Sequence, residues 1–552
     1  MTETKQNSPA WRWHLGALGL YAALAVLVVD HGVNPERFLA GHGSDPFAFV
    51  WFMAWMPYAL THHLNPFFTS LLWQPVGVAL SWATPVPLLA LAGAPVTLLF
   101  GPGVSYNLVI IIAPVASAWF AYRLCLALAQ DPLAALLGGF LFGFSTYEMA
   151  QDSAVLNLSF TCFVPALLWV VVLRLQDKIG RLRAVLLASL CLAAEFLTSI
   201  EIFAMIFIFG GIAWLLALSF IPAQRGILVR LFIDGLLAAP IVAIALSPLL
   251  WQMFLHRGTV NLPALWPYYF AADPLNVILP GKTSIIPLYI TNAAGGAQEQ
   301  DAYIGLPLLL VLALFARGQW QTPTGRFLVV LFLILLVASF GPLLWIAGHP
   351  TNISLPWALF MHLPLLGMAL PARFALFVSL ITAIIAAIWL SGARTQPSRR
   401  RRAALCALAC LALLPAFHPW MKVPESKFFA PEEVQAQLGP NPRLLLLPFG
   451  ISGPSSYWQA ENNFGFTQTG GYLGFPPKAM QHFKAIGQMP GSEWGADFPA
   501  NFVKFCEQTN TQYVVAGPGT PAAMLTVLAR LHWPSRQVDD VTIFTVPGVG
   551  RG

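Results

Sequence analysis

Charged residues are scarce in this sequence of 552 residues: Asp, Glu, Lys and Arg make up 9% of it, and hydrophobic residues make up 57%. A soluble domain carries about a quarter charged residues, because its surface must face water. This shortage excludes a chain built only of soluble domains. It favours a polytopic α-helical membrane protein whose exterior faces lipid.

Cysteine is also scarce, with six residues, of which only Cys506 lies in the C-terminal part of the chain. A single cysteine cannot form a disulfide within that part, and no CxxC pair supplies the usual metal-ligand spacing. Walker, GxSxG and HExxH motifs are missing as well. The sequence therefore gives no support for ATP hydrolysis, serine hydrolysis or zincin proteolysis.

The composition changes near residue 418. Apolar runs alternate with short polar loops before it, whereas residues 418 to 552 hold nine basic and nine acidic residues, so the net charge of +6 comes from the first part. Basic residues beside apolar runs are typical of cytoplasmic loops, and no basic face for nucleic acid is indicated. We therefore predict a transmembrane domain over residues 1–417, with loops on its outer face, and an extracytoplasmic domain over residues 418–552.

The apolar runs predict about eleven transmembrane helices, each separated by polar loops. Their ranges are 14–30, 107–128, 134–147, 159–176, 184–199, 200–221, 231–254, 303–316, 327–347, 374–393 and 403–417. With the basic loops in the cytoplasm, the N-terminus is cytoplasmic and the C-terminal domain lies outside a cell (inner) membrane. Residues 46–60 and 85–101 are apolar but short, and we interpret them as interfacial or re-entrant. The alternative, that both cross, preserves the orientation.

Short strand-like runs alternate with helical patterns in the C-terminal part. RLLLLPF at 443–449, QYVVAG at 512–517 and VTIFTV at 541–546 are rich in leucine or β-branched residues. Such alternation predicts a soluble α/β domain.

Acidic residues close to the membrane are the candidates for function, because a carboxylate there is unfavourable without a partner or a purpose. Asp45 follows the first helix in the stretch GHGSDPF. It is a candidate catalytic residue. Asp followed by Pro is also typical of a helix start, so an N-capping role is an alternative that can coexist with catalysis.

Two further acidic pairs are candidates for substrate binding. Glu148 and Asp152 would share one face of a helix at their i, i+4 spacing, and the alternative is an exposed loop with ordinary surface acids. Glu195 and Glu201 flank a predicted hairpin between two spans. The alternative for that pair is a turn that satisfies itself through its own polar groups.

Basic residues on the outer side are candidates for binding a phosphate group. Arg257 lies in the long loop 255–302, which also contains Glu299 and Asp301, and Arg373 precedes a predicted span. Arginine suits a phosphate oxygen, and lipid headgroups are an equally good partner. Asp234, near the cytoplasmic side of its span, is predicted to pair with Arg230.

Several stretches resemble the GT-C superfamily of membrane glycosyltransferases, in particular bacterial members that use polyprenyl-phosphate sugars. They are GSDPFAFVWFMAW, LNPFFTSLLWQPVGVAL, LFGFSTYEMAQDSAVLNLSF, DAYIGLPLLL and the segment 340–374. The resemblance covers residues 14–417 and rests on order and topology. It implies transfer of a sugar from a polyprenyl-phosphate donor to an extracytoplasmic glycan or lipid acceptor.

The resemblance also implies roles for the candidate residues. Asp45 matches the general base of the first outer loop, and Glu148 or Asp152 matches a second acidic site. The acidic doublet of the family, DD or DxD, is absent from the first loop. A departing lipid phosphate needs positive charge, either from Arg257 or Arg373 or from a divalent cation such as Mg²⁺ or Mn²⁺. The alternative function is a non-enzymatic transporter or flippase for lipid-linked glycans, or an assembly partner in a cell-envelope pathway.

Overall fold

The computed structural model describes residues 10–259, 266–288, 302–362, 369–491 and 493–549, and most of its elements are helices. The helices of the first half are α1 Ala10–Ala25, α2 Asp45–Thr61, α3 Pro87–Phe100, α4 Pro102–Ala129, α5 Pro132–Gly143, α6 Thr146–Asp152, α7 Leu156–Ser159, α8 Phe163–Leu175, α9 Arg181–Phe196, α10 Ile200–Phe220, α11 Arg225–Ala245 and α12 Ser247–Leu255. Those of the second half are α13 Trp266–Tyr269, α14 Pro274–Ile278, α15 Leu306–Gln319, α16 Pro323–Ser339, α17 Ala375–Ser391, α18 Gln396–Ala412, α19 Glu433–Leu438, α20 Ser455–Glu461, α21 Lys484–Gln488, α22 Phe498–Gln508 and α23 Ala522–Arg530.

The strands are short. They are β1 Phe38–Ala40, β2 Phe68–Thr69, β3 Val78–Ala79, β4 Leu343–Ile346, β5 His349–Ser354, β6 Trp420–Lys422, β7 Arg443–Leu447, β8 Thr467–Gln468, β9 Tyr513–Ala516, β10 Ser535–Val538 and β11 Val541–Thr545. Five of them form one mixed sheet in the order β10-β11-β9-β7-β8. The three runs predicted as strands correspond to β7, β9 and β11.

A helix lies at the position of every predicted span. Within the described residues, six helices are long and apolar enough to cross a membrane, or seven if the bent pair α5 and α6 is one span. The other predicted spans correspond to α9, α15, α16 and α18, which have 14 to 17 residues. The chain is therefore a multi-pass helical membrane protein, and the count of eleven spans stays a prediction.

The chain forms two compact units. Unit 1 consists of Met1–Val33, Ile110–Leu246 and Pro263–Pro419, and unit 2 consists of Asn34–Val109, Ser247–Leu262 and Trp420–Gly552. A division between residues 419 and 420 lies close to the predicted boundary. Unit 2 nevertheless contains two segments from the predicted transmembrane domain, so the domain division at 417 stays a prediction.

The core of unit 1 is built around α17, which is buried along most of its length and packs on α5. Glycine at position 138 of α5 is required by α4: a Cβ there would collide with the Cys125 side chain of α4, whereas its distance of 3.5 Å to the Ala383 carbonyl of α17 is an ordinary contact. A helix that is apolar on all sides belongs in a core or a bilayer. In α17 the sequence places Ala and Ile at the positions that contact neighbouring helices.

An ion cluster joins α8, α9 and α11 inside unit 1. The Asp234 carboxylate accepts hydrogen bonds from Arg174 Nε at 3.1 Å and Arg181 Nε at 2.7 Å. The Asp234 side chain is 8% exposed. The predicted pairing with Arg230 is wrong. The ion-pair partners of Asp234 are the arginines of α8 and α9, and not the arginine one turn earlier on its own helix.

The core of unit 2 contains α2, the segment predicted to be interfacial or re-entrant. Its side chains are buried on all sides against α3 and α20. Trp51 and Trp55 stack on each other with ring centroids 5.2 Å apart, and Phe464 packs edge-on against both. Burial in protein explains how a 17-residue helix can be apolar around its whole circumference.

Candidate functional site

Asp45 is the first residue of α2, and Ser44 occupies the N-cap position without a side-chain capping bond. Pro46 follows in the first turn, where its missing N–H needs no partner. The Asp45 side chain is thus not the N-cap that the sequence suggested as an alternative. A carboxylate in the first turn is stabilised by the helix dipole and faces out of the helix end.

Tyr472 holds Asp45. Its phenolic O–H donates a hydrogen bond to Asp45 Oδ1 at 2.7 Å, and both residues belong to unit 2. Among the described residues, no hydrogen bond reaches the other carboxylate oxygen, Oδ2. Asp45 is half-buried, so this oxygen remains open to a ligand.

The backbone before Tyr472 is fixed by close approach. A Cβ at Gly470 would collide with the Phe449 ring, and a Cβ at Gly471, whose φ is +125°, would lie 2.8 Å from Leu72. At either position a larger residue would force a neighbouring side chain to move, and at Gly471 the positive φ would also strain its backbone. Ser456 Oγ then donates to the Tyr472 carbonyl at 2.5 Å. These contacts direct the phenol towards the start of α2.

The environment of the phenol favours its neutral form. Burial is the larger cause and the neighbouring Asp45 carboxylate the smaller one, and both raise the pKa of Tyr472. The phenol therefore remains a hydrogen-bond donor over the physiological pH range. Asp45 in turn keeps one defined partner.

Arg257 also lies in unit 2, in the turn after α12. Its side chain is exposed, with the guanidinium carbon 4.9 Å from the centre of the Phe254 ring. An exposed guanidinium retains its donors for an anionic ligand. Glu299 and Asp301, from the same predicted loop, lie outside the described residues.

Glu148 and Asp152 lie on α6 in unit 1, and both side chains are about 1% exposed. The exposed-loop interpretation of this pair is therefore wrong. Thr161 donates a hydrogen bond to Glu148 Oε1, and Ser117 Oγ lies 3.2 Å from Thr161 Oγ1. His418 Nε2 lies 3.8 Å from Asp152 Oδ2 and 3.0 Å from the Asp152 carbonyl oxygen.

Glu195 belongs to the same buried acidic group. It lies in the last turn of α9, is 0% exposed, and interacts electrostatically with Glu148. In the described part of the chain, neither carboxylate oxygen of Glu195 has a hydrogen-bond partner. Such a group is unfavourable in a protein interior unless it carries a proton or meets a cation.

Glu201 and Arg373 form an ion pair in unit 1. Arg373 Nη1 donates to Glu201 Oε2, and the two side chains are 24% and 16% exposed respectively. Ser199 caps α10 by accepting from the Ile202 N–H, so the hairpin does satisfy its own turn. The planar guanidinium has five N–H donors, and Glu201 accepts from one of them.

The predicted site residues therefore divide between the two units. Asp45 and Arg257 belong to unit 2, and Glu148, Asp152, Glu195, Glu201 and Arg373 belong to unit 1. The sequence did not predict three residues that contact the candidate carboxylates: Tyr472, Thr161 and His418. A Gly-Gly-aromatic stretch was the one local signal for Tyr472.

The donor set does not fit a resident divalent cation within the described ranges. No three His, Cys, Asp or Glu side chains come together there in a metal-binding arrangement. Asp45 has a phenol beside it rather than a second carboxylate. We therefore derive no chemical step through a metal ion.

Comparison with known proteins identifies the fold. No family model and no curated protein matches the chain. Among solved structures, the apo oligosaccharyltransferase of Archaeoglobus fulgidus matches with a TM-score of 0.53 and 14% identity, over 92% of this chain and 70% of that one. Arabinofuranosyltransferase AftD from Mycobacteria matches with a TM-score of 0.61 and 15% identity, over 98% of this chain and 40% of that one.

A third structure carries ligands. It is the archaeal oligosaccharyltransferase AglB from Archaeoglobus fulgidus in complex with an inhibitory peptide and a dolichol-phosphate, and it matches with a TM-score of 0.51 and 12% identity, over 92% of this chain and 69% of that one. Similarity at these identities concerns the fold. This chain shares its fold with these oligosaccharyltransferase and arabinofuranosyltransferase structures, in agreement with the resemblance that the sequence showed.

Proposed function

We propose that this chain is an inverting glycosyltransferase that moves a sugar from a polyprenyl-phosphate donor to an extracytoplasmic glycan or lipid acceptor. The observation that carries the proposal is Asp45: a half-buried carboxylate at a helix start, held through one oxygen and open at the other. The fold supports the reaction class, and the dolichol-phosphate bound by AglB supports a lipid phosphate carrier.

The residues suit the chemistry of such a transfer. The acceptor hydroxyl attacks the anomeric carbon, the bond from that carbon to the phosphate oxygen breaks, and the lipid phosphate leaves with the electron pair. Asp45 Oδ2 takes the hydroxyl proton as general base. The guanidinium of Arg257, in the same unit as Asp45, stabilises the charge that develops on the departing phosphate.

We place the reaction on the outer face of a cell (inner) membrane, with a cytoplasmic N-terminus and about eleven spans. The hydrogen bond between Asp45 and Tyr472 supports one part of this topology, because it requires the first loop and the C-terminal region to lie on the same side of the bilayer. An odd number of spans before residue 418 also places the first loop and the C-terminal region on the same side.

The test is sugar transfer by purified protein in detergent, with a radiolabelled lipid-linked donor. Asp45→Asn keeps the shape of the side chain and removes the base, so we expect turnover to fall by about 10²- to 10⁴-fold. Asp539→Asn, an exposed acid of the same unit, is the matched control and should transfer at the wild-type rate. Unchanged turnover in Asp45→Asn would remove Asp45 from the mechanism.

The second candidate function is movement of a lipid-linked glycan across the membrane without transfer. It is favoured by the buried carboxylate of Glu195, which has no hydrogen-bond partner within the described residues. Buried acids of this kind are typical of transport paths. Proteoliposomes distinguish the two candidates: a transporter moves the lipid to the opposite leaflet and leaves its sugar attached.

A further inference from the structure

Tyr472 and Asp45 are 427 residues apart in sequence, yet the phenol donates to Oδ1 at 2.7 Å. Tyr472 comes from the C-terminal region, whereas Asp45 begins the first helix of unit 2. A neutral phenol that donates to a carboxylate forms one of the stronger hydrogen bonds in proteins. The contact thus joins the proposed base to a part of the chain with no assigned role.

The neighbouring backbone makes this contact specific. The peptide N–H of Trp73 donates to the Gly470 carbonyl at 3.2 Å, and that of Gln74 donates to the Gln468 carbonyl at 3.0 Å. Together with the two glycines, these bonds fix the segment between strand β8 and Tyr472. The phenol reaches Asp45 from a rigid support rather than from an exposed loop.

We infer that Tyr472 is a positioning residue that orients the Asp45 carboxylate for proton transfer, an inference that rests on the proposed function. A carboxylate can rotate about its Cβ–Cγ bond, and this torsion has broad wells. A hydrogen bond to Oδ1 fixes the torsion. The lone pairs of Oδ2 then point in one direction, in which the acceptor hydroxyl must lie.

A merely structural role makes a different prediction. If Tyr472 only tethered the C-terminal region, its loss would reduce stability and would affect activity to the same extent with or without the Asp45 carboxylate. If it acts through Asp45, its effect on turnover requires that carboxylate. Effects of residues that act as a unit are strongly non-additive.

The experiment is a double-mutant cycle in the full-length protein. Tyr472→Phe keeps the ring and removes the O–H, and we expect kcat to fall by about 10- to 100-fold with little change in KM for the lipid-linked donor. In the Asp45→Asn background the same substitution should lower the residual rate less than twofold. Tyr457→Phe is the matched control, since Tyr457 is buried in the same unit and interacts with Glu461.

The outcomes separate the two hypotheses. Wild-type activity in Tyr472→Phe, or an equal loss in both backgrounds, overturns the positioning role and leaves the proposed function intact. A wild-type protein that transfers no sugar from any lipid-linked donor overturns the proposed function and this inference with it. A lowered melting temperature with unchanged kcat assigns Tyr472 a structural role alone, and this also overturns the inference.

Discussion

Replacing Gln459 with leucine tests how α20 is attached to the helix that carries Asp45. Gln459 is 0% exposed. Its Oε1 accepts from Trp51 Nε1 at 2.9 Å, and its Nε2 donates to the carbonyls of Phe466 at 2.9 Å and Leu71 at 3.2 Å. Leucine has a similar volume and can replace none of these bonds.

The expected loss of folding stability follows from the buried polar groups that the substitution leaves without a hydrogen bond. The Leu71 carbonyl retains the Gln468 N–H at 2.8 Å, so only the indole N–H of Trp51 and the Phe466 carbonyl lose their partner among the described residues. Each buried unpaired group costs about 1–3 kcal/mol. Leucine offsets roughly 1 kcal/mol through its additional apolar burial. The net destabilisation should be about 1–5 kcal/mol, a large share of a typical stability.

Thermal unfolding in detergent, followed by tryptophan fluorescence, measures the effect. For a unit of roughly 200 residues this loss lowers Tm by about 2–20 °C. Gln508→Leu, at an exposed position of α22, should shift Tm by less than about 2 °C. Adding Trp51→Phe to Gln459→Leu should have a smaller effect than the two single changes together. A Tm for Gln459→Leu within about 1 °C of wild type would refute this account of the contact.

Two further predictions concern charge and protonation. Asp234→Asn should destabilise unit 1 by about 3–5 kcal/mol, because it removes the buried anion beside the Arg174 guanidinium and leaves only the exposed Asp177 carboxylate near it. Asp177→Asn, whose carboxylate also lies near Arg174 but is 80% exposed, should change Tm little, and equal shifts for the two variants would contradict the role of burial. For Tyr472, a raised pKa means that the neutral phenol persists as the pH rises past 10, the ordinary value. The spectrum of wild type minus Tyr472→Phe should thus show no tyrosinate absorbance up to about pH 11, and a signal near pH 10 would contradict the buried hydrogen bond.

Local signals predicted the elements of this fold. Long apolar runs gave helices such as α10 and α17, and three β-rich runs gave β7, β9 and β11. The burial of α2 was not predicted. An apolar helix that packs on distant protein and one that lies in lipid have the same composition, and only the tertiary contacts of Trp51 and Trp55 distinguish them.

The candidate site shows the same limit. Chain position and residue type were enough to nominate Asp45, Glu148 and Arg373, whose assigned roles stay predictions. Their partners could not be predicted, because Tyr472 and Glu201 approach from elements that are remote in sequence. Asp234 illustrates the error: proximity on one helix favoured Arg230, whereas arginines from α8 and α9 form the ion pairs.

The separation of Asp45 from Tyr472 also affects how the protein is made. A ribosome adds about 5–20 residues per second, so α2 emerges on the order of 20–80 s before the 427th residue after Asp45 exists. Throughout that interval the tryptophans of the helix lack the C-terminal surface that covers them. Exposed apolar surface of this kind is prone to aggregation. We therefore expect the bilayer or a chaperone to cover α2 during synthesis, until the C-terminal quarter of the chain has been made.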